Sequence, residues 1–579
     1  MAGRKQQIEL NLNIHKEHVF LGLVILVAAM GFITIHLPFT NGQIDRSYPA
    51  ISMAVDNGYH VVVSKYIYDS GDVKYWPAFV ADNQQSVSLQ PPAYYVFVAS
   101  FARFSGLSVY DSAFLLTSIG AVSVCLSVYA LTRKYFGERL ALLALVLGAI
   151  PISVYWYFPI HIGFQLNTYA WIFVPAILFL TICVYERQEW WAAPSIALML
   201  SAQFLSHLPE FYLSFAFFAG MSLIAILLKK ERLKILKVIG LAFLLLLLLV
   251  VYYAPLQAAE YGYGGSNVRL GQVWPPSDYF PTAKLELVFW PFALLGVLFF
   301  GDQIYRKKLD LQRTTVLLFI LYTLTFSMSY LIGFNGTRTY KQFFLGHPFY
   351  VLLPAAGVYL IYYLTVKTIL PVKEIDHHHS NLLFALLIIA IAVASAYSIY
   401  PPLKSIGENQ LMNPELWEGI QWVNENTPQD STVLAFVGFR QFTEEYLLRK
   451  KMSSNLDKGY TIYNIQPLCQ GQFIETYLGT WNLYAQTKNV RKSFFNIERT
   501  PLPAVSGGQS NDQRQAALAD FDYVITVYNQ TATDPAVSIT GVSIDPCMHF
   551  YLNEMVNRGH YLVFMNSKVA VIEVNKDVL

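Results

Sequence analysis

The amino-acid sequence predicts a polytopic α-helical membrane protein with about 11 transmembrane helices and a soluble α/β domain at its C-terminal end. Of its 579 residues, 55% are hydrophobic and 13% are charged, whereas soluble domains carry about 25% charged residues. Several apolar runs reach the ~20 residues that an α-helix needs to cross a bilayer. These runs end before Pro401, where the composition becomes that of a soluble domain. We therefore predict a membrane part at 1–400 and a soluble domain at 401–579.

Eleven apolar runs qualify as membrane spans when the sequence is read with a window of about 19 residues. They are 19–37, 109–131, 140–158, 168–185, 190–206, 209–228, 234–254, 284–300, 314–333, 347–369 and 381–399. A further run at 91–107 is shorter, begins with Pro91-Pro92 and contains Arg103, so a helix lying at the membrane interface is favoured there. The segment at 38–108 is then one long external loop.

Clustered basic residues predict the orientation of the chain. With a cytoplasmic N-terminus and 91–107 not crossing, the basic loops at 132–139, 229–237 and 302–313 face the cytoplasm, as the positive-inside rule requires. If 91–107 crossed, these loops would lie outside. The sequence therefore predicts a multi-pass plasma membrane protein with an extracytoplasmic C-terminal domain. The predicted protein is embedded in a lipid bilayer. The lack of a basic stripe or nucleic-acid motif argues against nucleic acid as a partner.

Asp45 is the first candidate catalytic residue, because it lies in the long external loop about eight residues after the first span. A carboxylate held just outside a membrane can accept the proton of an attacking hydroxyl group. The alternative is an ordinary loop aspartate, solvated or paired with the adjacent Arg46. Residue type alone favours that alternative.

The order of features along the chain resembles the GT-C superfamily of membrane glycosyltransferases. The matching pieces are Asp45 in the long first loop, the P-P-A-Y-Y run at 91–95 that leads to Gly106, the arginine- and glycine-punctuated stretch at 128–147, the loop and late span at 335–360, and the tryptophans Trp417 and Trp422 of a helix opening the soluble domain. The resemblance covers the membrane part, although none of its pieces is a tight motif.

The resemblance implies a GT-C-like fold and an inverting transfer of a sugar from a polyprenyl- or dolichyl-phosphate donor. The acceptor would be a hydroxyl of a glycan, lipid or protein on the extracytoplasmic face, as in cell-envelope glycosylation. It also implies that Asp45 matches the catalytic acidic residue of the family. Many relatives carry a paired acidic motif where this chain has a single aspartate, so the use of a divalent metal is open.

Three basic residues are candidate ligands of the donor phosphate. Arg338 and Lys341 lie in the last external loop between spans, and Arg269 lies in a glycine- and aromatic-rich loop at 254–284. A departing phosphate needs cationic donors, and the guanidinium group of arginine matches its oxygens in a bidentate fashion. The alternative is contact with lipid headgroups at the interface.

His161, His207 and Glu210 are candidate substrate or metal contacts. They lie at predicted external ends of spans, where ionisable side chains are often functional. Together with Asp45, either histidine would be a suitable metal ligand. The alternative is that they cap helices or reach towards the interface.

The region at 401–579 predicts a small α/β domain. An amphipathic helix at 413–429 is followed by strand-like runs at 432–437, 460–465 and 523–528, with a hairpin at 561–574 and helical patterns at 442–450 and 513–520. Cys469 and Cys547 could pair outside the cytosol or remain free.

Two other functions stay open from the sequence. One is a transporter or flippase of a lipid-linked glycan, although transporters tend to have polar, broken helices at mid-membrane, and the spans here are nearly free of charge. The other is a non-catalytic member of a glycan-assembly complex, in which the C-terminal domain would serve as a docking module.

Overall fold

The computed structural model describes most of the membrane part and a smaller share of the C-terminal region. The described residues are 22, 25, 39, 40, 43, 44, 55–71, 73, 92–149, 165–187, 190–228, 232–251, 289–306, 308–328, 345–366, 382–395, 397, 414–428, 431, 433–436, 522–527 and 555–579. Everything said below about the structure refers to these residues.

Fourteen helices make up the described membrane part. They are α1 (Val55–Ser70), α2 (Ala93–Ser105), α3 (Val109–Phe136), α4 (Glu138–Ala149), α5 (Gln165–Trp171), α6 (Val174–Arg187), α7 (Ala192–Phe204), α8 (Leu208–Leu228), α9 (Arg232–Val250), α10 (Phe289–Tyr305), α11 (Leu311–Met328), α12 (His347–Tyr350), α13 (Leu352–Leu364) and α14 (Leu382–Ser395). Five stretches of them are long and apolar enough to cross a membrane: Val109–Phe136, Leu166–Tyr185, Leu208–Leu227, Arg232–Val250 and His347–Leu364.

The predicted spans from 109–131 onward each overlap a described helix, which confirms the helical membrane character of the chain. The observed boundaries differ by a few residues, and the shorter helices leave the predicted number of spans an expectation. Of the first predicted span, only residues 22 and 25 are described, and both are helical.

Before α3, the chain forms a hairpin and two helices. Strands β1 (Phe39–Thr40) and β2 (Gln43–Ile44) pair antiparallel across a two-residue connection, whose Asn-Gly sequence favours a tight turn. Helix α2 occupies the run in which the sequence predicts an interfacial helix, and it packs on α1 and α3. Gly106 ends α2 with a φ of 73°, a left-handed conformation that glycine adopts without strain. Ser108 then caps α3 by accepting a hydrogen bond from the backbone N–H of Asp111 at 3.0 Å.

Helices α10 and α13 approach each other closely at two glycines. A methyl group added to Gly296 would overlap the carbonyl oxygen of Leu353, and one added to Gly357 would overlap the carbonyl oxygen of Phe292. Small residues allow such close packing of backbones in a membrane, where burial of apolar surface gives helices little reason to associate. These two glycines therefore fix the crossing of α10 and α13.

The end of the bundle at which α3 finishes carries exposed cations. The guanidinium of Arg313 donates a hydrogen bond from Nε to the carbonyl oxygen of Tyr135 at 2.5 Å, which brings the start of α11 to the end of α3. Lys134 lies 4.4 Å from the ring centre of Phe179, and Arg139 lies over the ring of Phe384. The charged groups near these rings are the ones that the sequence predicts to face the cytoplasm.

The C-terminal region contributes a helix and a four-stranded sheet, here called the C-terminal layer. It consists of helix α15 (Pro414–Asn426) and strands β3 (Val433–Phe436), β4 (Tyr523–Val527), β5 (Tyr561–Met565) and β6 (Val569–Glu573), in the sheet order β3-β4-β6-β5. Strands β3 and β4 are parallel, and the other pairs are antiparallel.

The C-terminal layer thus contains four of the predicted elements: the amphipathic helix at 413–429, the strands at 432–437 and 523–528, and the hairpin at 561–574. Leu416, Ile420 and Val423 are completely buried on the side of α15 that faces the sheet. The predicted strand at 460–465, the helices at 442–450 and 513–520, and the cysteines Cys469 and Cys547 lie outside the described residues. The domain boundary at 401 stays a prediction.

Candidate functional site

Three polar side chains meet inside the helix bundle. Asn167 of α5, His207 before α8 and Glu210 in the first turn of α8 contact one another. Glu210 is completely buried, Asn167 is nearly so, and the side chain of His207 is 16% exposed. Ionisable groups at membrane depth are costly and tend to have a function, so this polar network is the candidate site among the described residues.

The helix ends explain how the polar network forms. His207 immediately precedes α8 and Glu210 lies three residues later, a spacing that places both side chains on one side of the helix start. A carboxylate in the first turn of a helix is stabilised by the unpaired backbone N–H groups and by the helix dipole. Asn167 approaches from α5, which begins at Gln165.

Hydrogen-bond accounting defines the roles of the three side chains. The amide of Asn167 donates from Nδ2 to Oε1 of Glu210 at 3.0 Å, and Nδ1 of His207 contacts Oε2 of the same carboxylate. Asn167 Nδ2 also lies 3.1 Å from Nδ1 of His207. An imidazole nitrogen has a single in-plane position, and the carboxylate is the stronger partner, so we assign the Nδ1 proton to the bond with Glu210. Both oxygens of Glu210 then accept hydrogen bonds, and Nε2 is the outer ring nitrogen of His207.

A second buried amide lies beside the polar network. Gln203 of α7 donates from Nε2 to the carbonyl oxygen of Ala170 at 3.1 Å. The backbone carbonyl oxygen of Gln203 accepts from the backbone N–H of His207 at 2.7 Å. The side-chain Oε1 of Gln203 is buried and has no hydrogen-bond partner among the described residues. A buried acceptor without a partner costs about 1–3 kcal/mol, so this atom is a natural contact for a bound hydroxyl group.

Helix α2 is attached directly to the turn that carries His207. The backbone N–H of Ala93, the first residue of α2, donates to the carbonyl oxygen of Leu205 at 2.9 Å. Tyr94 is 1% exposed, and its ring lies 5.8 Å from that of Tyr169, two residues after Asn167. The P-P-A-Y-Y run noted in the sequence therefore packs against both helices that supply the polar network.

The next tyrosine of that run contacts helix α1. The hydroxyl of Tyr95 lies 3.1 Å from Nδ1 of His60, and the rings of His60 and Tyr94 meet edge to face at 6.2 Å. Helix α1, which follows the Asp45 loop, is in this way tied to α2.

Two of the predicted site residues, His207 and Glu210, are brought together by the structure. Asp45, His161, Arg269, Arg338 and Lys341 lie outside the described residues. Their roles stay predictions.

Two contacts involve described residues that come before and after Arg338 and Lys341 in the sequence. Ser327 of α11, which precedes them, shares a hydrogen bond of 3.0 Å with the hydroxyl of Tyr350, which follows them. The ring of Phe349 lies 6.1 Å from that of Trp171, one helical turn after Asn167.

The described residues do not provide a complete set of metal ligands. Among them, no three histidine, cysteine, aspartate or glutamate side chains come together, and both oxygens of Glu210 already accept hydrogen bonds. A divalent ion would need further ligands from segments outside the described residues, so we derive no step through a metal.

Asn167, Gln203 and His60 are site residues that the sequence analysis missed. The predicted span begins at residue 168, which leaves Asn167 just outside it, whereas Asn167 lies in a helix that begins at Gln165. The signal that could have identified it is an amide side chain at the start of an otherwise apolar span, since such a group needs a partner in the membrane.

Comparison with known proteins gives a family without an assigned function. The chain belongs to the family described as "Family of unknown function (DUF6541)", whose model matches residues 14–435. No curated protein matches the chain in sequence.

Solved structures of GT-C glycosyltransferases share the fold of this chain. ArnT from Cupriavidus metallidurans in the apo state has a TM-score of 0.54 at 12% identity, covering 97% of this chain and 98% of that chain. The arabinofuranosyltransferase AftD from Mycobacteria has a TM-score of 0.52 at 11% identity, covering 96% of this chain and 40% of that chain. The archaeal oligosaccharyltransferase AglB from Archaeoglobus fulgidus, in complex with an inhibitory peptide and a dolichol-phosphate, has a TM-score of 0.50 at 14% identity, covering 89% and 70%. The expected GT-C-like fold is thereby confirmed.

Proposed function

We propose that this protein is an integral membrane glycosyltransferase that moves a sugar from a polyprenyl- or dolichyl-phosphate donor to an acceptor hydroxyl on the extracytoplasmic face. The observation that carries the proposal is the buried Asn167–His207–Glu210 network within a GT-C fold. A buried carboxylate and imidazole of this kind cost stability in an apolar surrounding. Their presence therefore indicates a role in binding or chemistry.

The names of the proteins with this fold support the reaction class. AftD is an arabinofuranosyltransferase, and AglB is an oligosaccharyltransferase whose structure contains a dolichol-phosphate. We extend to this chain glycosyl transfer as the reaction class, and a lipid-linked phosphate as the class of donor.

The proposed reaction is a single displacement that inverts the anomeric carbon. The acceptor oxygen forms a bond to C1 of the sugar while the bond between C1 and the phosphate oxygen breaks. Asp45 takes the proton from the acceptor hydroxyl, and the lipid phosphate leaves with the bonding electron pair. The step therefore balances in atoms and charge without an oxidant or a reductant.

Arg338, Lys341 and Arg269 are proposed to bind the departing phosphate. The negative charge on the phosphate oxygens grows as the bond to C1 breaks, so cationic donors stabilise the transition state more than the ground state. Two contacts of described residues support a place for Arg338 and Lys341 near the polar network: Phe349 packs against Trp171 of α5, and Ser327 bonds to Tyr350.

His207 is proposed to contact the substrate, with His161 as a further candidate, while the buried Glu210 is proposed to act on the substrate through His207. Glu210 orients the imidazole of His207 by accepting from Nδ1, and Asn167 holds Glu210 in turn by donating to Oε1, so Nε2 is the atom directed to the substrate. Gln203 Oε1 would accept a hydrogen bond from a sugar hydroxyl.

The test is sugar transfer by the purified full-length protein in lipid nanodiscs. A panel of radiolabelled polyprenyl- and dolichyl-phosphate sugars would be supplied with crude acceptor membranes, and wild type would be compared with Asp45→Asn, Arg338→Ala and Glu210→Gln. We expect transfer by the wild type and a loss of at least a hundredfold in Asp45→Asn, because removal of a general base typically costs about 10²–10⁴-fold.

Asp302→Asn provides the matched control, because Asp302 is an exposed carboxylate that pairs with Arg306 on α10. Undiminished transfer by Asp45→Asn would refute the proposed base. Movement of the donor lipid across the bilayer without any transfer would replace the proposal with transport.

A further inference from the structure

We infer that the C-terminal layer is braced against the helices of the polar network through Tyr110, so that the state of the layer is transmitted to α2. The inference concerns mechanical coupling within the chain and does not depend on the proposed reaction. It bears on the docking-module alternative, since a module that is only tethered would leave the membrane helices unaffected.

The C-terminal layer has a closely packed core of its own. Leu416 and Ile420 of α15 and Ile525 and Val571 of the sheet are completely buried in one apolar cluster. Gly419 allows α15 to lie close to the sheet, because an added methyl group would come within 2.8 Å of Val569. A close-packed cluster of this kind transmits displacements rather than absorbing them.

Tyr110 is the second residue of α3, and it packs against two apolar clusters. One is the core of the C-terminal layer. The other unites α1, α2, the start of α3 and Leu166, and it contains the adjacent residue Val109. The ring of Tyr110 also lies 4.6 Å from that of Phe114 one turn further along α3. Tyr110 therefore joins the layer to the cluster that holds α2.

The second cluster leads directly to the polar network. Tyr94 and Leu166 belong to it, and Leu166 is adjacent to Asn167. Helix α2 is in addition hydrogen-bonded at Ala93 to Leu205, two residues before His207. A shift of α2 would consequently move the surroundings of both Asn167 and His207.

The experiment measures amide hydrogen exchange of α2 in the full-length protein in nanodiscs. Leu416→Ala opens a cavity in the core of the C-terminal layer, which loosens it. We expect this change to raise exchange over Ala93–Ser105 at least fivefold when Tyr110 is present. In a Tyr110→Ala background, the same Leu416→Ala change should raise it less than twofold.

Three controls keep the test decisive. Tyr110→Phe retains the ring and should transmit the effect as the wild type does. Leu246→Ala removes a buried side chain of α9 and should leave exchange of α2 within twofold of wild type. If Leu416→Ala prevents folding, the milder Ile420→Val is compared in the same two backgrounds. Exchange of α2 that ignores the C-terminal changes, or that rises equally without the Tyr110 ring, would overturn the inference.

Discussion

The two ends of the helix bundle carry polar side chains in opposite ways. Towards the N-terminal half of α3, Asn167, His207 and Glu210 are drawn inside and satisfy one another. At the C-terminal end of α3, Lys134 and Arg313 remain accessible and lie over rings or donate to backbone carbonyl groups. Burying the polar side chains costs free energy in a membrane, whereas basic side chains that keep their charged ends accessible cost little.

The buried arrangement is the one expected of a functional site, and the accessible cations are the arrangement expected from membrane topology alone. The cations at one end are those that the positive-inside rule predicts to face the cytoplasm. A buried carboxylate that accepts two hydrogen bonds requires partners placed by two different helices, which is the type of precision that substrate binding demands. The following experiments are arranged to break or refine that contrast, beginning with the largest expected effect.

Among changes to described residues, replacement of Glu210 by Gln should have the largest effect. The isosteric amide cannot hold the Nδ1 proton of His207 as the carboxylate does, so the imidazole loses its orientation. Losses of such orienting partners typically reduce activity by about 10–100-fold, and we expect that range for sugar transfer. Purified protein would be assayed alongside its thermal melting curve, which should keep its cooperative transition. If transfer persists unchanged, the buried network does not serve the reaction.

The crossing of α10 and α13 should be the next most sensitive feature. Gly357→Ala forces a methyl group against the carbonyl oxygen of Phe292 and should destabilise the protein by about 1–3 kcal/mol. Gly220→Ala is the matched control, because nothing lies within 4 Å of the position of its added methyl group. Thermal unfolding in a defined detergent measures both. Equal melting temperatures for the two variants would contradict the close approach.

Acidification should weaken the C-terminal layer before it affects the bundle. Burial lowers the pKa of His560, and Arg558 lowers it further. The neutral ring accepts a hydrogen bond at Nδ1 from the backbone N–H of Asn575 at 3.1 Å. Since the unfolded chain binds the proton more readily, this stabilisation is complete above the unfolded pKa of about 6.5 and declines as the pH falls below it.

We expect hydrogen exchange of β5 and β6 to increase from pH 7 to pH 5 after correction for the intrinsic rates. His560→Gln, which cannot be protonated in this range, should reduce that pH dependence. A pH response that is the same in wild type and variant would show that another group is responsible.

The smallest effect is predicted at the basic end of the bundle. Arg139 is half-buried and lies over the rings of Tyr362 and Phe384, and a cation–ring contact of this kind contributes about 0.5–2 kcal/mol. Arg139→Gln should therefore shift the melting temperature slightly and leave transfer within twofold of wild type. A large loss of transfer would erase the contrast between the two ends.

Much of the architecture was predictable because membrane insertion imposes a one-dimensional rule. Apolar length and the distribution of arginine and lysine are read directly from the sequence, and the helices from Val109 onward follow the predicted spans. The buried face of α15 was equally readable, since Leu416, Ile420 and Val423 recur with helical periodicity.

The candidate site was only half predictable. His207 and Glu210 stand out because ionisable residues are rare within largely apolar segments, and their spacing alone brings them together. Asn167 is 40 residues away from His207 along the chain, and no local pattern connects the two. Arg338, Lys341 and Asp45 stay predictions from residue type and family resemblance.

The sequence by itself determined that this is a helical membrane protein and which residue types could perform chemistry. It also predicts that the basic loops face the cytoplasm. Only the tertiary structure decided that Asn167 and Gln203 join the site, that α2 is fastened beside His207, and that Tyr110 connects the C-terminal layer to it. The physical reason is that insertion depends on the apolar content of each segment taken alone. Partnership between buried polar groups depends instead on how separate helices pack, which no single segment encodes.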